Sequence, residues 1–347
     1  MTTQTRQTVQ ATGGSSVAEP MSPDRHQPSQ AVSGRETGRP PASERRGFTR
    51  RSPSGDVVLA YLGTHAAALK ALDPAVRRDA PDSVHQMRVA ARRLRSTLRA
   101  YPTIVSSPAT RHMRDELKWL GGVLGGARDN EVLSDYLQAR LADLPPELVL
   151  GPARARVRGH FAPGEASARN AFADALNSPR YFTMLAGLDR LLAVPPLAAA
   201  AAEPARDILP QAVARAYRRT RRAVRRARRA APGPARDAAL HEARKAAKRA
   251  RYAAEAAEPA LGKKARRFAK RMKAVQSALG EQHDAVTARG VAREIGVRAH
   301  LAGENAFTFG LLQERADRDA ADRQDQAMLA WKTAARPKYR AWLRPAR

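Results

Sequence analysis

The motif His85-x-x-Arg88-x-x-x-Arg92-Arg93-x-Arg95 occurs twice, returning 156 residues later as His241-x-x-Arg244-x-x-x-Lys248-Arg249-x-Arg251. A second block follows each copy: Lys118-x5-Leu124-Gly125-x-x-Arg128-Asp129 recurs as Lys273-x5-Leu279-Gly280-x-x-His283-Asp284, at an offset of 155. Two blocks in one order at nearly one spacing point to duplication of a structural unit, which constrains the fold more than composition does. Between the blocks Ala, Leu and Arg dominate and no alternating apolar run of strand length stands out, so local propensity favours helices throughout. The fold class expected is all-α, with two similar helical bundles.

Proline and glycine divide the chain. Boundaries are expected at Asp73-Pro74, Pro102, Pro108, Gly125-Gly126, Pro145-Pro146, Pro163-Gly164, Pro179, Pro195-Pro196, Pro210, Pro232-Gly233-Pro234, Pro259 and Gly280. The Ala-rich stretch around Pro195-Pro196 and Pro204 lacks a periodic polar face and reads as the joint between an N-terminal bundle over about 55–192 and a C-terminal one over about 205–347. Residues 1–54 are rich in Gly, Pro, Ser, Gln and Arg, hold one aromatic at Phe48, and read as a disordered tail.

At about 100° per residue, His85, Arg88, Arg92, Arg95 and Arg99 share one helix face, while Met87, Ala91, Leu94, Leu98 and Tyr101 form the packing face. In the second copy His241, Arg244, Lys248 and Arg251 repeat the stripe, opposite Ala243, Ala247, Ala250 and Ala254. Arg218, Arg222, Arg225 and Arg229 make a further stripe on the preceding segment, and Lys263, Lys264, Arg266, Arg267, Lys270, Arg271 and Lys273 crowd the one that follows. A charge run is ordinarily a solvated face. Here few acids relieve like charges at i, i+4, each such pair costing about 0.2–0.5 kcal/mol in an isolated helix, so an external anion is implied.

The chain carries 62 Lys and Arg against 33 Asp and Glu, a formal charge of +29. Such an excess fits polyanions: nucleic acid, an anionic membrane surface or inorganic polyphosphate. The absence of cysteine excludes disulfides, thiolate metal sites and a cysteine nucleophile, and agrees with a reducing compartment. The amino terminus has no apolar signal core, and the longest nearly apolar run is interrupted by Pro195 and Pro196, so a cytoplasmic protein without a membrane span is expected.

Neither metal nor nucleotide chemistry is supported. His241-Glu242 opens like a zincin helix, but Lys245 stands where the second His would be. Gly121-Gly122-x-x-Gly125-Gly126 lacks a preceding strand and a phosphate-loop Lys, so it reads as a helix end, with Asp129 and Asp284 as N-caps of the next helices. Arg128 and His283 are then placed to face an anion from those turns. Glu242 and Glu255, the acids nearest the stripes, read as charge relief rather than as Mg²⁺ ligands or a base, so no enzyme and no cofactor is expected. The histidines, beside phosphate, should be protonated and donate from both nitrogens.

The strings HQMRVAARRLRSTLRAY and LKWLGGVLGGARDNEVL, with their second copies HEARKAAKRARYAAE and MKAVQSALGEQHDAV, resemble the CHAD family, named for conserved histidines in an α-helical domain. The resemblance covers about residues 55–347, including a Lys338-Tyr339-Arg340-Ala341-Trp342 end similar to the family's closing segment. It implies two pseudo-symmetric four-helix bundles, a basic groove or pore between them, binding of inorganic polyphosphate, and location at polyphosphate granules. Carried to this sequence it points to His85, Arg88, Arg92, Arg95 and Lys118 in one half and His241, Arg244, Lys248, Arg251 and Lys273 in the other, with Arg128 and His283 weaker. Some relatives carry a triphosphate-processing CYTH domain, whose strands alternate Glu and Lys; no such stretch exists here. A helical nucleic-acid binder remains the rival reading, although aromatics are 5% of the chain and are not interleaved with the basic stripes.

Overall fold

The computed structural model describes residues 47–343, apart from the side chains of 127, 128 and 165. Among the described residues the fold is all-α, and the ten helices fall into two matching series. The first series is α1 (Ser54–Arg77), α2 (Ser83–Ala100), α3 (Arg111–Ala142), α4 (Ala153–Asn177) and α5 (Pro179–Ala193). The second is α6 (Ala205–Arg229), α7 (Pro234–Leu261), α8 (Lys263–Leu301), α9 (Phe307–Ala334) and the short α10 (Pro337–Arg340). In both, each long helix packs on the next, so the two halves are pseudo-symmetric bundles of four long helices with a shorter fifth.

The halves meet where both series begin. Ser54 N donates to Glu203 O and Ala205 N to Ser52 O, joining the strand-like entries of α1 and α6 around Pro53 and Pro204. Residues 1–46 of the expected tail lie outside the described residues. Its end is bound to the fold instead: Arg50 O and Ser52 O accept bonds from α6, and Phe48 packs against the core. One continuous core then runs through both halves. The expected packing face, Met87, Ala91, Leu94, Leu98 and Tyr101, is fully buried, and so are Ala243, Ala247, Ala250 and Ala254. Alanines on α7 let α2 approach closely, and the Tyr101 hydroxyl reaches across to donate to Ala253 O.

A second, smaller core joins the far ends. Leu137, Leu141, Val157 and Phe161 of α3 and α4 pack against Ala292, Ile295, Phe309 and Leu312 of α8 and α9. Arg140 Nε donates to Asp319 at 2.8 Å and Arg156 Nε to Glu304 at 2.8 Å, clasping the same junction. The joint around Pro195-Pro196 is fixed in place, with Ser106 N bonded to Pro196 O and Ala198 N to Ile104 O.

Several expected boundaries are not boundaries. α3 runs unbroken through Gly121–Gly126 and α8 through Gly280, while Pro74, Pro163, Pro210 and Pro259 lie inside helices. Tertiary packing decides these positions: a Cβ at Gly164 would lie 2.6 Å from the Asn130 amide of α3, so this glycine marks a helix crossing and not an end. Asp129 and Asp284 are consequently mid-helix residues, not N-caps.

Two glycines of α8 make the packing testable. Gly290 has open space around it, whereas a Cβ at Gly296 would meet the Phe309 Cβ at 3.0 Å. Gly290→Ala should stabilise the protein by about 0.5–1 kcal/mol in urea unfolding, through helix propensity alone. Gly296→Ala should give no gain or a net loss; equal stabilisation by both would contradict the close α8–α9 contact.

Candidate functional site

The two motif copies lie on α2 and α7, which pack against each other across the boundary between the halves. Their cations meet at Lys248. Burial drives its ammonium down from the usual lysine range to about 7, and Arg92, Arg244, Arg88 and Arg95 add to the shift by repulsion. Three of those four guanidiniums belong to the other half of the molecule. Arg95 is lowered in turn, first by burial and then by Arg99 and Arg92. All five residues are partly buried, with their heads at a seam between the helices.

The seam continues past the motif. Burial lowers Arg249, as do Arg99 from α2 and Arg219 from α6; burial lowers Arg215 too, as do Arg218 and Arg219. From Arg88 to Arg99 the α2 edge spans about 16 Å at 1.5 Å per residue, so the cations form a line and not a point. The sequence does not single out Arg215 and Arg219, and it offers Arg249 as a motif position but not as a site residue. On α6 the expected stripe of Arg218, Arg222 and Arg225 is exposed; the rotation of the helix is set by the burial of Tyr217, Thr220 and Val224, of which Tyr217 and Val224 stand one residue before members of that stripe. Arginines flank both sides of that buried stripe, so periodicity alone could not fix its rotational phase.

Four buried polar atoms at the seam have no hydrogen-bond partner among the described residues: Arg92 Nε, Arg215 Nη2, Arg244 Nε and His241 Nδ1. Leaving such groups unsatisfied costs about 1–3 kcal/mol each, more for a charged group, so each calls for a partner from outside the chain, whether water or a ligand. The glycines of the second block now find their purpose. A Cβ at Gly125 would lie 3.4 Å from Arg88 Nη2, and one at Gly280 would lie 3.3 Å from Arg244 Nε. Each glycine clears a track on α3 or α8 along which an arginine of the neighbouring helix extends.

Other candidates fall elsewhere. Arg251 is 4% exposed and donates to Glu255 at 2.6 Å, so it belongs to the interface, where Glu255 also takes a bond from Arg93 at 3.3 Å. Arg88 reaches the seam but also grips both Asp129 oxygens, at 2.9 and 3.3 Å, and is partly neutralised. Lys118 and Lys273 are exposed on α3 and α8 and are not among the residues whose fields meet at Lys248. The Arg128 side chain lies outside the described residues. His85 lines a cleft of about 740 Å³ within the first half, beside Asp82, Leu124 and Phe172, whereas His241 sits against His283 with ring centroids 4.3 Å apart.

In the free protein His241 and His283 are held below the usual imidazole range. Burial and then His241 and Arg244 lower His283 to about 4, while nearby Asp129 and Asp237 pull the other way; His241 is lowered by burial, Lys245 and Arg244. Neutral imidazoles beside so many cations are the consequence of cation crowding without an anion.

With this geometry in hand, comparisons place the chain. The CHAD domain family model matches residues 60–293, a span that includes both motif copies. The chain belongs to the CHAD family. Two curated relatives in Mycobacterium tuberculosis, the uncharacterized proteins Rv2226 of strain H37Rv and MT2285 of strain CDC 1551, are each 38% identical over 275 residues. That region is 78% of this chain, and the chain spans about half the length of both relatives. Among solved structures, the CHAD domain from the plant Ricinus communis superposes with a TM-score of 0.58 at 25% identity, covering 87% of this chain and 95% of that one. PptA from Streptomyces chartreusis gives 0.67 at 23% identity, covering 81% and 100%, a likeness of fold. No helix in the described part of this CHAD protein is long and apolar enough to cross a membrane.

The depressed Lys248 has a measurable consequence. Its folded pKa lies below its unfolded value, so between about 7 and about 10.4 the unfolded state binds more protons and stability rises with pH. Lys248→Met should therefore stabilise the ligand-free protein most below pH 7 and hardly at all near pH 10. An unchanged pH profile of stability would show that Lys248 is not crowded by cations.

Proposed function

We propose that this CHAD protein binds inorganic polyphosphate along the α2–α7 seam and does so without chemical turnover. The observation that carries the reading is the convergence at Lys248 of Arg88, Arg92 and Arg95 from one half with Arg244 from the other. Like charges are forced together by the fold, and a chain of phosphates relieves many of them at once. Unpartnered guanidinium nitrogens suit such a ligand, because Arg can donate paired bonds to phosphate oxygens, while Lys248 contributes a point charge.

The polymer is favoured over nucleic acid by what the seam omits. Single-strand binders stack bases on aromatic side chains, but the residues that meet at Lys248 are guanidiniums, and the His241 and His283 rings already pack on each other. Tyr101, at its end, commits its hydroxyl to Ala253 O and is fully buried. Absence of turnover is supported by how acids beside the seam are engaged: Asp129 is held by Arg88, Glu242 by Lys245, and Glu255 by Arg251 and Arg93. Association with polyphosphate granules in the cytoplasm belongs to the same proposal.

Titration with fluorescent long-chain polyphosphate tests it. Affinity should fall steeply as salt rises from 50 to about 200 mM, by about 10³-fold or more if six or more phosphates are contacted. Arg92→Ala and Arg244→Ala should each weaken binding by about tenfold, as for loss of one charged hydrogen bond, and Lys118→Ala by much less. Displacement of polyphosphate by single- or double-stranded DNA at equal phosphate concentration would overturn the choice of ligand.

Proton uptake provides a second check. Bound anion should restore the Lys248 ammonium, so at pH 8 binding should take up close to one proton, read from calorimetry in buffers of different ionisation enthalpy. Binding with no proton exchange would place the anion away from Lys248.

A further inference from the structure

The basic residues at the start of α8 do not join the seam. At about 100° per residue, Arg267, Lys270 and Arg271 fall within roughly 100° of one another, and Gln276, Gly280 and His283, which face α7, lie on the opposite side of the helix. Those three cations are met by α10, whose Lys338 and Tyr339 complete a pocket of about 380 Å³. Arg271 Nη2 donates to the Tyr339 hydroxyl at 2.9 Å, and its guanidinium carbon lies 4.7 Å from the ring centroid. Lys338 Nζ is 5.4 Å from the same centroid.

The pocket is built on a fixed support. Trp342 Nε1 donates to Tyr339 O at 3.0 Å, and its ring packs edge-on against Phe268 at 6.0 Å. Phe268 in turn meets Tyr217, and Leu343 is buried. Arg340, the last residue of α10, ties this helix back to the end of α9 by donating to Ala335 O at 3.0 Å. A four-residue helix thus presents Lys338 and Tyr339 at a set position over α8.

Four cations surround this space, and among the described residues no carboxylate pairs with Arg267, Lys270, Arg271 or Lys338. Glu258, on the neighbouring helix, is occupied by Arg266. The Tyr339 ring is flanked by the Arg271 and Lys338 charges, so the pocket offers cations and a hydroxyl rather than a platform for a flat base. Its volume exceeds what one phosphate fills and suits a few linked ones.

We propose that Arg267, Lys270, Arg271 and Lys338 form a second oligophosphate site, separate from the seam and on the other side of α8. The proposal extends the polyphosphate reading, since two sites of this kind let one molecule hold two stretches of polymer. The same chemistry would accept a small soluble oligophosphate, and the experiment separates these sources.

Isothermal titration of the full chain with tripolyphosphate should show two classes of site. The exposed-residue variant Lys270→Gln/Lys338→Gln should lose one class, and Arg92→Gln/Lys248→Gln the other. With long-chain polyphosphate, light scattering should report cross-linked assemblies for the unaltered protein. The Lys270→Gln/Lys338→Gln variant should still bind the polymer within about threefold but should no longer cross-link. Loss of a site without any cross-linking by the unaltered protein would assign the pocket to a small soluble oligophosphate. A single class of site, abolished by the seam variant and untouched by the pocket variant, would overturn the proposal while leaving the seam in place. Survival of both classes in the seam variant would instead contradict the seam reading.

Discussion

The packing of α2 against α7 is the constraint on which the rest depends. Alanines at 243, 247, 250 and 254 leave α7 so thin on one side that α2 comes close, and the cationic edges of both helices are carried together. Repulsion in a partly desolvated setting opposes that approach, as the depressed Lys248 records. Apolar burial holds it, with one core shared by both halves and a second joining the arms formed by α3, α4, α8 and α9. The fold therefore stores electrostatic stress at the seam that an anion can release.

Duplication supplied the parts, and divergence assigned them. Arg95 and Arg251 occupy equivalent motif positions, yet four residues on, Arg99 follows the first and Glu255 the second. Glu255 draws Arg251 and Arg93 into the interface, where breaking a buried ion pair would be costly, while Arg95 keeps a like-charged neighbour and stays with the seam. The histidines diverged as well. His283 stands where the first copy has Arg128, and it gives His241 a ring partner; His85 instead borders a mostly apolar cleft. Charge is thus unevenly shared between two halves of nearly the same architecture.

The architecture was legible in the sequence because two signals agreed, the repeat and the helical period. The packing faces of α2 and α7 followed directly, since apolar and charged residues segregate cleanly there. The glycines misled, because Gly125 and Gly280 answer to Arg88 and Arg244 on other helices, and a local rule about helix ends cannot register a contact made across the bundle. The depressed His241 and His283 of the free protein could not be read from the sequence either, because they depend on burial and on how many cations the fold gathers around them. Arg215 and Arg219 escape a sequence reading because an arginine-rich helix looks alike from several sides, and only the buried stripe reveals which side faces the neighbour.

The most direct test of the central claim is a structure of the protein bound to polyphosphate of defined length. The account requires a continuous file of phosphates between α2 and α7, with Arg92 Nε and Arg244 Nε bonded to its oxygens and Lys248 beside it. Phosphates seated only elsewhere, with those three side chains left as they are in the free protein, would contradict it.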